Sequence, residues 1–333
     1  MSIDRFISDA FSQWLQATFD SQRVRSIEQA GADPGAWQEV TDSGFADLLL
    51  AEQHGGAGAN LETLGEVLQI CGACALPLAV ATTMWVYAAL AAEGHDRPRG
   101  AIALARGQRV GERVECRNVA FAATVEHVLV LLDDGAWLLP VADAEPVAAS
   151  GVAGLSADLQ WTTLPASAWK LNQCHDWEAI GAAIFAALIA GAAGRVLQLS
   201  LSYAAERHQF GKPIARFQAV QQQLSVLAEE VYAVRMAAQL ALRGSGLAVD
   251  PRLAALAKAR ASQAVSSIGA IGHMVHGAIG ITEEYDLQLY TRRLHEWRLQ
   301  FGSERYWQQR LGHALLDSQL PVLDFMRGLT GSG

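Results

Sequence analysis

The most informative segment of this chain reads Tyr203-Ala-Ala-Glu-Arg-His-Gln-Phe-Gly-Lys-Pro-Ile-Ala-Arg-Phe-Gln-Ala-Val-Gln-Gln-Gln-Leu224. A long apolar pattern with helical spacing enters it from about Trp177 and breaks at Gly211. Pro213 then fixes the backbone shortly before a second helical pattern begins near Phe217. The segment therefore predicts a corner between two helices.

This corner carries groups that suit an anionic ligand. Arg207 and Lys212 lie on either side of the break, and Phe210 offers a flat apolar surface between them. The second helix also begins here, with backbone N–H groups that lack intrahelical partners. The residues alone leave two interpretations open, a phosphate site and a solvated basic turn.

Length and composition narrow the class of protein. A chain of 333 residues is long enough for two or three domains with sizeable cores. Its hydrophobic fraction of 51% favours a mostly helical soluble enzyme. The net charge of −9 argues against nucleic-acid binding, which needs a basic face. No charged-then-apolar leader opens the sequence, so we expect a cytoplasmic protein.

Two further features have simple structural interpretations. The uncharged run at 179–194 is shorter than the roughly 20 residues that cross a bilayer, so we predict a buried helix and no membrane span. Cys71 and Cys74 have the spacing of a redox or metal pair. They lie in a helical pattern without a second ligand pair, which favours core thiols in a reducing cytosol. Cys116 and Cys174 are the other cysteines, and we expect no metal site.

The pattern changes twice along the chain. Helical spacing of apolar residues dominates up to about residue 97. Short β-rich runs follow, at 101–105, 119–123, 127–132 and 136–141, with Asp133-Asp134-Gly135 as a hairpin signal between the last two. Helical spacing returns near Asp176, with a helix start at Asp250-Pro251.

Three segments resemble the acyl-CoA dehydrogenase family. The corner itself, Arg207-x-x-Phe-Gly-Lys-Pro-Ile followed by Phe217-Gln-Ala-Val-Gln, resembles that family's most recognisable motif. Met274-Val-His-Gly-Ala-Ile-Gly-Ile-Thr282 is similar to its Gln-x-His-Gly-Gly-Ile-Gly-Phe-Thr loop, and residues 37–58 resemble its N-terminal signature. The resemblance covers nearly the whole chain and is poor over the middle.

The resemblance implies a fold and a cofactor. The fold is mostly α with a small β-domain: an N-terminal helical domain over 1–97, a reduced middle β-domain over 98–173 and a C-terminal four-helix bundle over 174–333. The cofactor is FAD, contacted across a subunit interface. The positions that match the family's FAD contacts are Arg207, Phe210, Gln218, Gly277, Ala278, Gly280, Ser303 and Arg305. Ala278 replaces a family glycine and Met274 a glutamine, which weakens the loop's match.

The sequence departs from the family where the flavin ring is usually held. The family carries a loop of the Thr-Glu-Pro-x-Ala-Gly-Ser type and then an aromatic-Ile-Thr/Ser segment. Here residues 101–107 pass almost directly into residues 109–116, and neither segment has a counterpart. The adenosine side of the cofactor site is therefore expected in this chain, and the ring side is largely missing.

The catalytic base of the family has no counterpart either. Its two usual positions align with Phe301 and with Gly181, which is followed by Ala182, and none of these can accept a proton. Glu304 lies one helical turn beyond Phe301, and Glu296 precedes it. Glu304 is the better local candidate for a relocated base, although a solvated glutamate is the more common role.

Two functions follow from the resemblance. One is an acyl-CoA dehydrogenase, an oxidoreductase that forms an α,β double bond in an acyl-CoA thioester with FAD and passes electrons to an electron-transfer flavoprotein. The other is a non-catalytic subunit that completes the cofactor site of a longer homologue, as in heterotetramers that act on steroid side chains. The expected assembly is a homo-oligomer or such a heterotetramer. The sequence leaves the acyl chain, the base and the electron acceptor open.

Overall fold

A computed structural model describes residues 3–150, 155–172, 175–244 and 246–331. Its first part is helical, as predicted. The helices are α1 (Ile3–Thr18), α2 (Ser21–Ala30), α3 (Pro34–Asp42), α4 (Leu61–Ala73) and α5 (Val80–Ala92). Side-chain caps fix their starts: Asp20 accepts a hydrogen bond from the backbone N–H of Arg23, and Asn60 accepts one from that of Thr63, each at 2.8 Å.

The middle part is a seven-stranded sheet in the order β5-β6-β2-β1-β3-β4-β7. The strands are β1 (Ile102–Val110), β2 (Arg113–Val119), β3 (His127–Leu132), β4 (Gly135–Pro140), β5 (Glu145–Ser150), β6 (Ser156–Trp161) and β7 (Trp169–Lys170). β1 and β3 pair in parallel, and the other neighbours are antiparallel.

Two turns in this sheet bear on the sequence predictions. Leu132 pairs with Gly135, so the predicted hairpin at Asp133-Asp134 is confirmed. Val110 pairs with Arg113, so the connection between β1 and β2 has only two residues. The sequence had indicated a missing loop between residues 107 and 109, which lie within β1. The strands do join without a long loop, but at residues 111–112.

The last part consists of helices α6 (Trp177–Glu206), α7 (Gln218–Ala241), α8 (Pro251–His276), α9 (Leu287–Leu299), α10 (Glu304–Ser318) and α11 (Val322–Thr330). A two-stranded ribbon, β8 (His208–Gln209) and β9 (Lys212–Pro213), separates α6 from α7. The predicted fold class, mostly α with a small β-domain, is confirmed. The boundaries between the three predicted domains stay a prediction.

Helix α6 is the centre of this bundle, and small residues let its neighbours approach closely. A Cβ on Gly191 would lie 1.9 Å from the Gln69 carbonyl oxygen, and one on Gly72 would lie 2.1 Å from that of Leu188. α4 and α6 therefore cross with their backbones in contact. The run at 179–194 is buried, as the sequence predicted.

Two helical stretches are long and apolar enough to cross a membrane by length and composition, Trp177–Glu206 and Pro251–Ile281. Both belong to the bundle, and 89% of the most apolar window of the first is buried inside the protein. Packing against other helices accounts for the apolar surface of the first stretch, and 50% of the most apolar window of the second is buried.

Some local predictions were wrong or lie outside the described residues. The first long helix ends at Glu206, before the predicted Gln209, because the ribbon begins at His208. The predicted strand at 119–123 is a chain reversal, since Phe121 has a φ of 63° and a short 3-10 turn follows. Cys71 is buried and Cys74 half-buried at the end of α4, which agrees with core thiols. Cys174 lies outside the described residues.

Candidate functional site

The corner after α6 is shaped by two residues with left-handed backbone. Phe210 has a φ of 51° and Gly211 a φ of 80°, which reverses the chain between β8 and β9. The Ile214 N–H donates to the Arg207 carbonyl oxygen at 2.8 Å and closes the ribbon. The two basic residues that the sequence placed around the break therefore lie on one compact turn.

The side chains of this turn point outward. Phe210 is 93% exposed, and its ring meets that of Phe217 edge-on with 6.1 Å between centroids. The Lys212 ammonium lies 4.3 Å from the Phe217 ring centre. Within the described residues, neither Arg207 nor Lys212 has an ion-pair partner. An exposed aromatic ring beside two unpaired cations is an unusual surface for a protein without a ligand there.

The start of α7 adds further donors to this surface. Gln218 is the first residue of the helix and is exposed, and Phe217 before it provides no side-chain cap. The N–H groups of the first turn are therefore directed at the same corner as Arg207. Such a helix start favours a negatively charged ligand.

The loop after α8 forms the second predicted contact segment. Gly277 has a φ of 63° and begins a 3-10 turn over Gly277–Ile281. Gly280 is buried, and a Cβ there would lie 2.9 Å from Leu287 Cδ2 and 3.0 Å from His276 Cβ. Ala278 is exposed at the tip. The glycine at 280 is thus needed for packing, whereas position 278 tolerates a side chain.

His276 joins the two predicted segments. Its ring stacks on that of Tyr203 with 4.6 Å between centroids, and Tyr203 lies one turn before Arg207 on α6. The His276 Nδ1–H donates to the Gly272 carbonyl oxygen at 2.8 Å. Burial lowers the pKa of His276, so the neutral ring is favoured. The structure therefore brings the corner and the glycine loop together through a buried aromatic contact.

The opposite end of α6 holds the two positions where the family's base was expected. Gly181 and Phe301 are in direct contact: a Cβ on Gly181 would lie 2.5 Å from Phe301 Cδ1. The Phe301 ring is 5% exposed and stacks on Phe185 at 5.8 Å between centroids. Ala182 beside it is fully buried. The space that a carboxylate would need is filled by the Phe301 ring.

A polar cluster surrounds this buried ring. The Phe301 carbonyl oxygen accepts hydrogen bonds from Trp307 Nε1 at 2.7 Å and from the Arg106 guanidinium at 3.1 Å. Arg106 also pairs with Glu178 near the start of α6, and Arg310 pairs with the same carboxylate. These partners come from a strand and two helices, and sequence reasoning missed all of them because no local pattern marks them.

Glu304 and Glu296 are both held by arginines. The Arg298 guanidinium donates to both carboxylate oxygens of Glu304, with the Nε contact at 3.0 Å. This pairing lowers the pKa of Glu304, which is the direction opposite to that of a general base at neutral pH. Glu296 is buried and accepts from Arg293 at 3.1 Å and from the Ser156 hydroxyl.

The two remaining predicted cofactor residues lie at the start of α10. Ser303 is the N-cap residue, but its side chain makes no capping hydrogen bond. Arg305 is exposed on the first turn. Both are adjacent to the filled base position and distant in sequence from the corner at Arg207. A role in cofactor binding stays a prediction for them.

One cleft of about 860 Å³ lies apart from both ends of α6, between α1, α4, α6 and α7. Its lining includes Arg195 and Arg235 together with the acidic residues Asp9, Glu62 and Glu66. None of the predicted cofactor residues lines it.

Comparison with known proteins gives consistent matches. A family model described as the acyl-CoA dehydrogenase C-terminal domain matches residues 179–314. The acyl-CoA dehydrogenase IpdE2 of Mycobacterium tuberculosis is 30% identical over 279 residues, which cover 82% of this chain and 84% of the relative.

Solved structures have the same fold. The ChsE4–ChsE5 complex from Mycobacterium tuberculosis superposes with a TM-score of 0.80 at 18% identity, covering 97% of this chain and 99% of that chain. A variant of the steroid ACAD Tcur3481–Tcur3483 gives 0.76 at 23% identity, covering 95% and 98%. At these identities the two structures show the fold alone.

Proposed function

The chain belongs to the acyl-CoA dehydrogenase family, and on that premise we propose that it is a cofactor-completing subunit of an FAD-dependent acyl-CoA dehydrogenase. The family's reaction is oxidation of a CH–CH bond, and the prediction of FAD is confirmed at the level of the family. In this proposal a longer homologue supplies the catalytic base, and this chain supplies the groups that hold the nucleotide end of the partner's FAD.

The observation that carries the proposal is the contact between Phe301 and Gly181. The family uses a carboxylate to remove the α-proton of the acyl thioester, and both positions for it hold residues without a titratable group. The Phe301 ring also fills the intervening space, 2.5 Å from the place of a Gly181 Cβ. Glu304, the nearest alternative, is held as a charged partner of Arg298.

The corner after α6 fits the diphosphate and adenosine end of FAD. Arg207, Lys212 and the first turn of α7 would hold the phosphates, because all three offer unpaired N–H donors on one exposed surface. The exposed Phe210 ring would lie against the adenine. The backbone N–H of Ala278 would complete the phosphate contacts, since the loop's tip is exposed there, whereas the Gly277 N–H already donates to the His273 carbonyl oxygen.

The flavin ring does not fit the residues of this chain. The loop that would cover it is replaced by the two-residue turn between Val110 and Arg113. Arg106, which would face such a site from β1, is engaged with Glu178 and the Phe301 carbonyl. The redox reaction at the flavin ring is therefore assigned to the partner, and no proton transfer is assigned to this chain.

The proposed assembly is a cytoplasmic heterotetramer of two copies of each chain. The exposure of Phe210 and Arg207 supports it, because Arg207 has no ion-pair partner among the described residues and Phe210 contacts only the edge of the Phe217 ring there. A steroid-derived or similarly bulky acyl-CoA is the proposed substrate, on the likeness to a steroid ACAD, and an electron-transfer flavoprotein the proposed acceptor.

The test is to express the chain alone and together with a longer acyl-CoA dehydrogenase homologue from the same genome. We expect little flavin absorbance in the chain purified alone and a yellow, catalytically active complex after co-expression. Replacing the partner's glutamate base should abolish activity, with a loss of about 10²–10⁴-fold.

The contrary result is equally clear. A stoichiometric, tightly held FAD in a homo-oligomer of this chain alone would overturn the proposal. Turnover by that homo-oligomer would assign the full enzyme activity to this chain.

A further inference from the structure

The turn between α9 and α10 places several carbonyl groups in the protein interior. α9 ends at Leu299, Gln300 is extended, and then Phe301 and Gly302 have φ values of 53° and 98°. The last carbonyl groups of a helix have no intrahelical partners. Here the Gly302 N–H donates to the Leu299 carbonyl oxygen at 3.3 Å, and no backbone N–H of the described residues beyond the helix bonds to the Trp297 or Arg298 carbonyl groups. This turn therefore needs donors from elsewhere, because unpaired buried carbonyl groups are costly.

Lys258 on α8 supplies those donors. Its side chain is completely buried, and its Nζ lies 2.8 Å from the Arg298 carbonyl oxygen and 3.1 Å from that of Trp297. The Gly302 carbonyl oxygen lies at 3.1 Å and the Ser262 hydroxyl oxygen at 2.7 Å. Four oxygens thus surround one nitrogen, and three of them belong to the turn.

A charged ammonium suits this oxygen cage. It has three N–H donors, whereas a neutral amine has two and would direct its lone pair at an oxygen. The carboxyl end of a helix also favours a cation. Burial lowers the pKa of Lys258 to about 7, while the Glu304 carboxylate opposes that shift. No acidic side chain pairs directly with Lys258 among the described residues, so the carbonyl groups are its principal partners.

The cage is adjacent to the filled base position. Phe301 lies between Arg298 and Gly302, whose carbonyl groups Lys258 holds, and its own carbonyl is held by Trp307 and Arg106. The direction of the Phe301 ring depends on the left-handed backbone of this turn. Left-handed φ is unfavourable for a phenylalanine, so the turn persists only if its surroundings hold it.

We propose that Lys258 is the positioning residue for the turn at 297–302 and that its oxygen cage keeps the Phe301 ring over Gly181. This inference rests on the proposed function, in which the position of the family's base is inactive in this subunit. That position lacks a carboxylate, and the hydrogen bonds of Lys258 keep it filled by the Phe301 ring. The contact itself is a property of the fold and is tested independently of FAD.

The experiment is hydrogen–deuterium exchange of the full chain, read by mass spectrometry on peptides that cover residues 297–307. Lys258→Met keeps an unbranched side chain of similar length and removes all donors. We expect exchange in these peptides to accelerate roughly ten- to hundredfold, because hydrogen bonds to a charged group hold the turn closed. Lys170→Met, at an exposed position of β7, is the matched control and should leave these peptides unchanged.

A second variant tests whether Lys258 acts through its hydrogen bonds or only through the volume of its side chain. Lys258→Gln retains two N–H donors, so exchange at the turn should lie between that of the parent and that of Lys258→Met. If Lys258 only filled volume, both variants would leave the turn protected, and that result would overturn the proposal. Should Lys258→Met not fold, an unchanged turn in Lys258→Gln would overturn it in the same way.

Separate measurements test the positioning role of Lys258 and the proposed cofactor role of the chain. FAD binding by the complex is measured at the Arg207 corner, which lies at the other end of α6. Normal exchange at 297–307 in both Lys258 variants would reject the positioning role and leave the cofactor role untouched. FAD held by the chain alone would reject the proposed function and leave the positioning role of Lys258 untouched.

Discussion

The chain contains two Phe-Gly pairs with similar φ angles, one in the ribbon that follows α6 and one packed against Gly181 near the start of α6. Phe210 has a φ of 51° and Phe301 a φ of 53°, and a glycine with positive φ follows each. The Phe210 ring is 93% exposed, whereas the Phe301 ring is 5% exposed. A Phe-Gly pair with positive φ angles therefore presents an exposed ring at Phe210 and fills buried space at Phe301.

The surroundings of the two rings explain the difference. Around Phe210, two cations have no ion-pair partner within the described residues, and the start of α7 has no side-chain cap. Around Phe301, most charged groups have partners: Arg106 and Arg310 share Glu178, and Lys258 holds the turn's carbonyl groups, although the Nε of Arg106 has no hydrogen-bond partner among the described residues. Accessible cations can bind an anionic ligand in place of water, whereas a filled, hydrogen-bonded site leaves no room for one. This contrast is the physical basis for assigning binding to one end only.

The largest expected effect is a loss of stability when the buried Phe301 ring, but not the exposed Phe210 ring, is deleted. Phe301→Ala should lower the free energy of unfolding by about 3–5 kcal/mol, because it leaves a cavity between α6 and α10. Phe210→Ala is the matched control and should change it by less than about 0.5 kcal/mol. Urea denaturation of both variants measures this. Equal losses would show that the two ends do not differ as described.

The next effect concerns cofactor retention in the complex. Arg207→Ala should weaken FAD binding by about one to two orders of magnitude with the fold intact, since charge-assisted contacts to phosphate contribute roughly 1.5–3 kcal/mol. Arg113→Ala, at an exposed position of β2, serves as the control. Titration of the complex with FAD gives both affinities. An unchanged affinity in Arg207→Ala would return the corner to a solvated basic turn.

Helix α6 offers a test of how tightly its closed end is packed. Gly181→Ala should destabilise the fold by about 1–3 kcal/mol, because the new methyl group overlaps the Phe301 ring. Gly194→Ala on the same helix has no atom within 4 Å and should stabilise it by about 0.5–1 kcal/mol. Thermal melts of the two variants should move in opposite directions. A neutral Gly181→Ala would mean that the ring can move aside.

The smallest effect is expected at Glu304. Glu304→Gln should leave activity of the complex near its parent value and change stability by at most about 1 kcal/mol, as for a partly exposed ion pair. Glu229→Gln, exposed on α7, is the control. A loss of turnover on the scale of about 10²-fold would identify Glu304 as a base.

The contribution of Glu304 to the free energy of unfolding should change with pH in one direction. Its pKa is lowered by Arg298, so its contribution to stability is present above the unfolded pKa and is lost as the pH falls through the folded value. Glu304→Gln should therefore lower the free energy of unfolding at neutral pH, and urea denaturation should show this difference from the parent disappearing as the pH falls through the folded pKa.

Much of the fold followed from local patterns. Asp250-Pro251 marked the start of α8, and the helical spacing after Trp177 marked α6. The hairpin at Asp133-Asp134 and the direct passage from β1 to β2 were also readable, because turns and strand alternation depend on neighbouring residues. The corner at Arg207 could be identified for the same reason, since its motif is continuous in sequence.

The closed end of α6 could not be inferred in this way. Gly181 and Phe301 are 120 positions apart, and the cage around Lys258 joins two helices and a turn. Residue identity fixed the absence of a carboxylate and the presence of an exposed basic motif. Only packing in three dimensions determined that Phe301 fills the space over Gly181, because a ring's burial depends on which distant elements meet it and not on the turn that carries it.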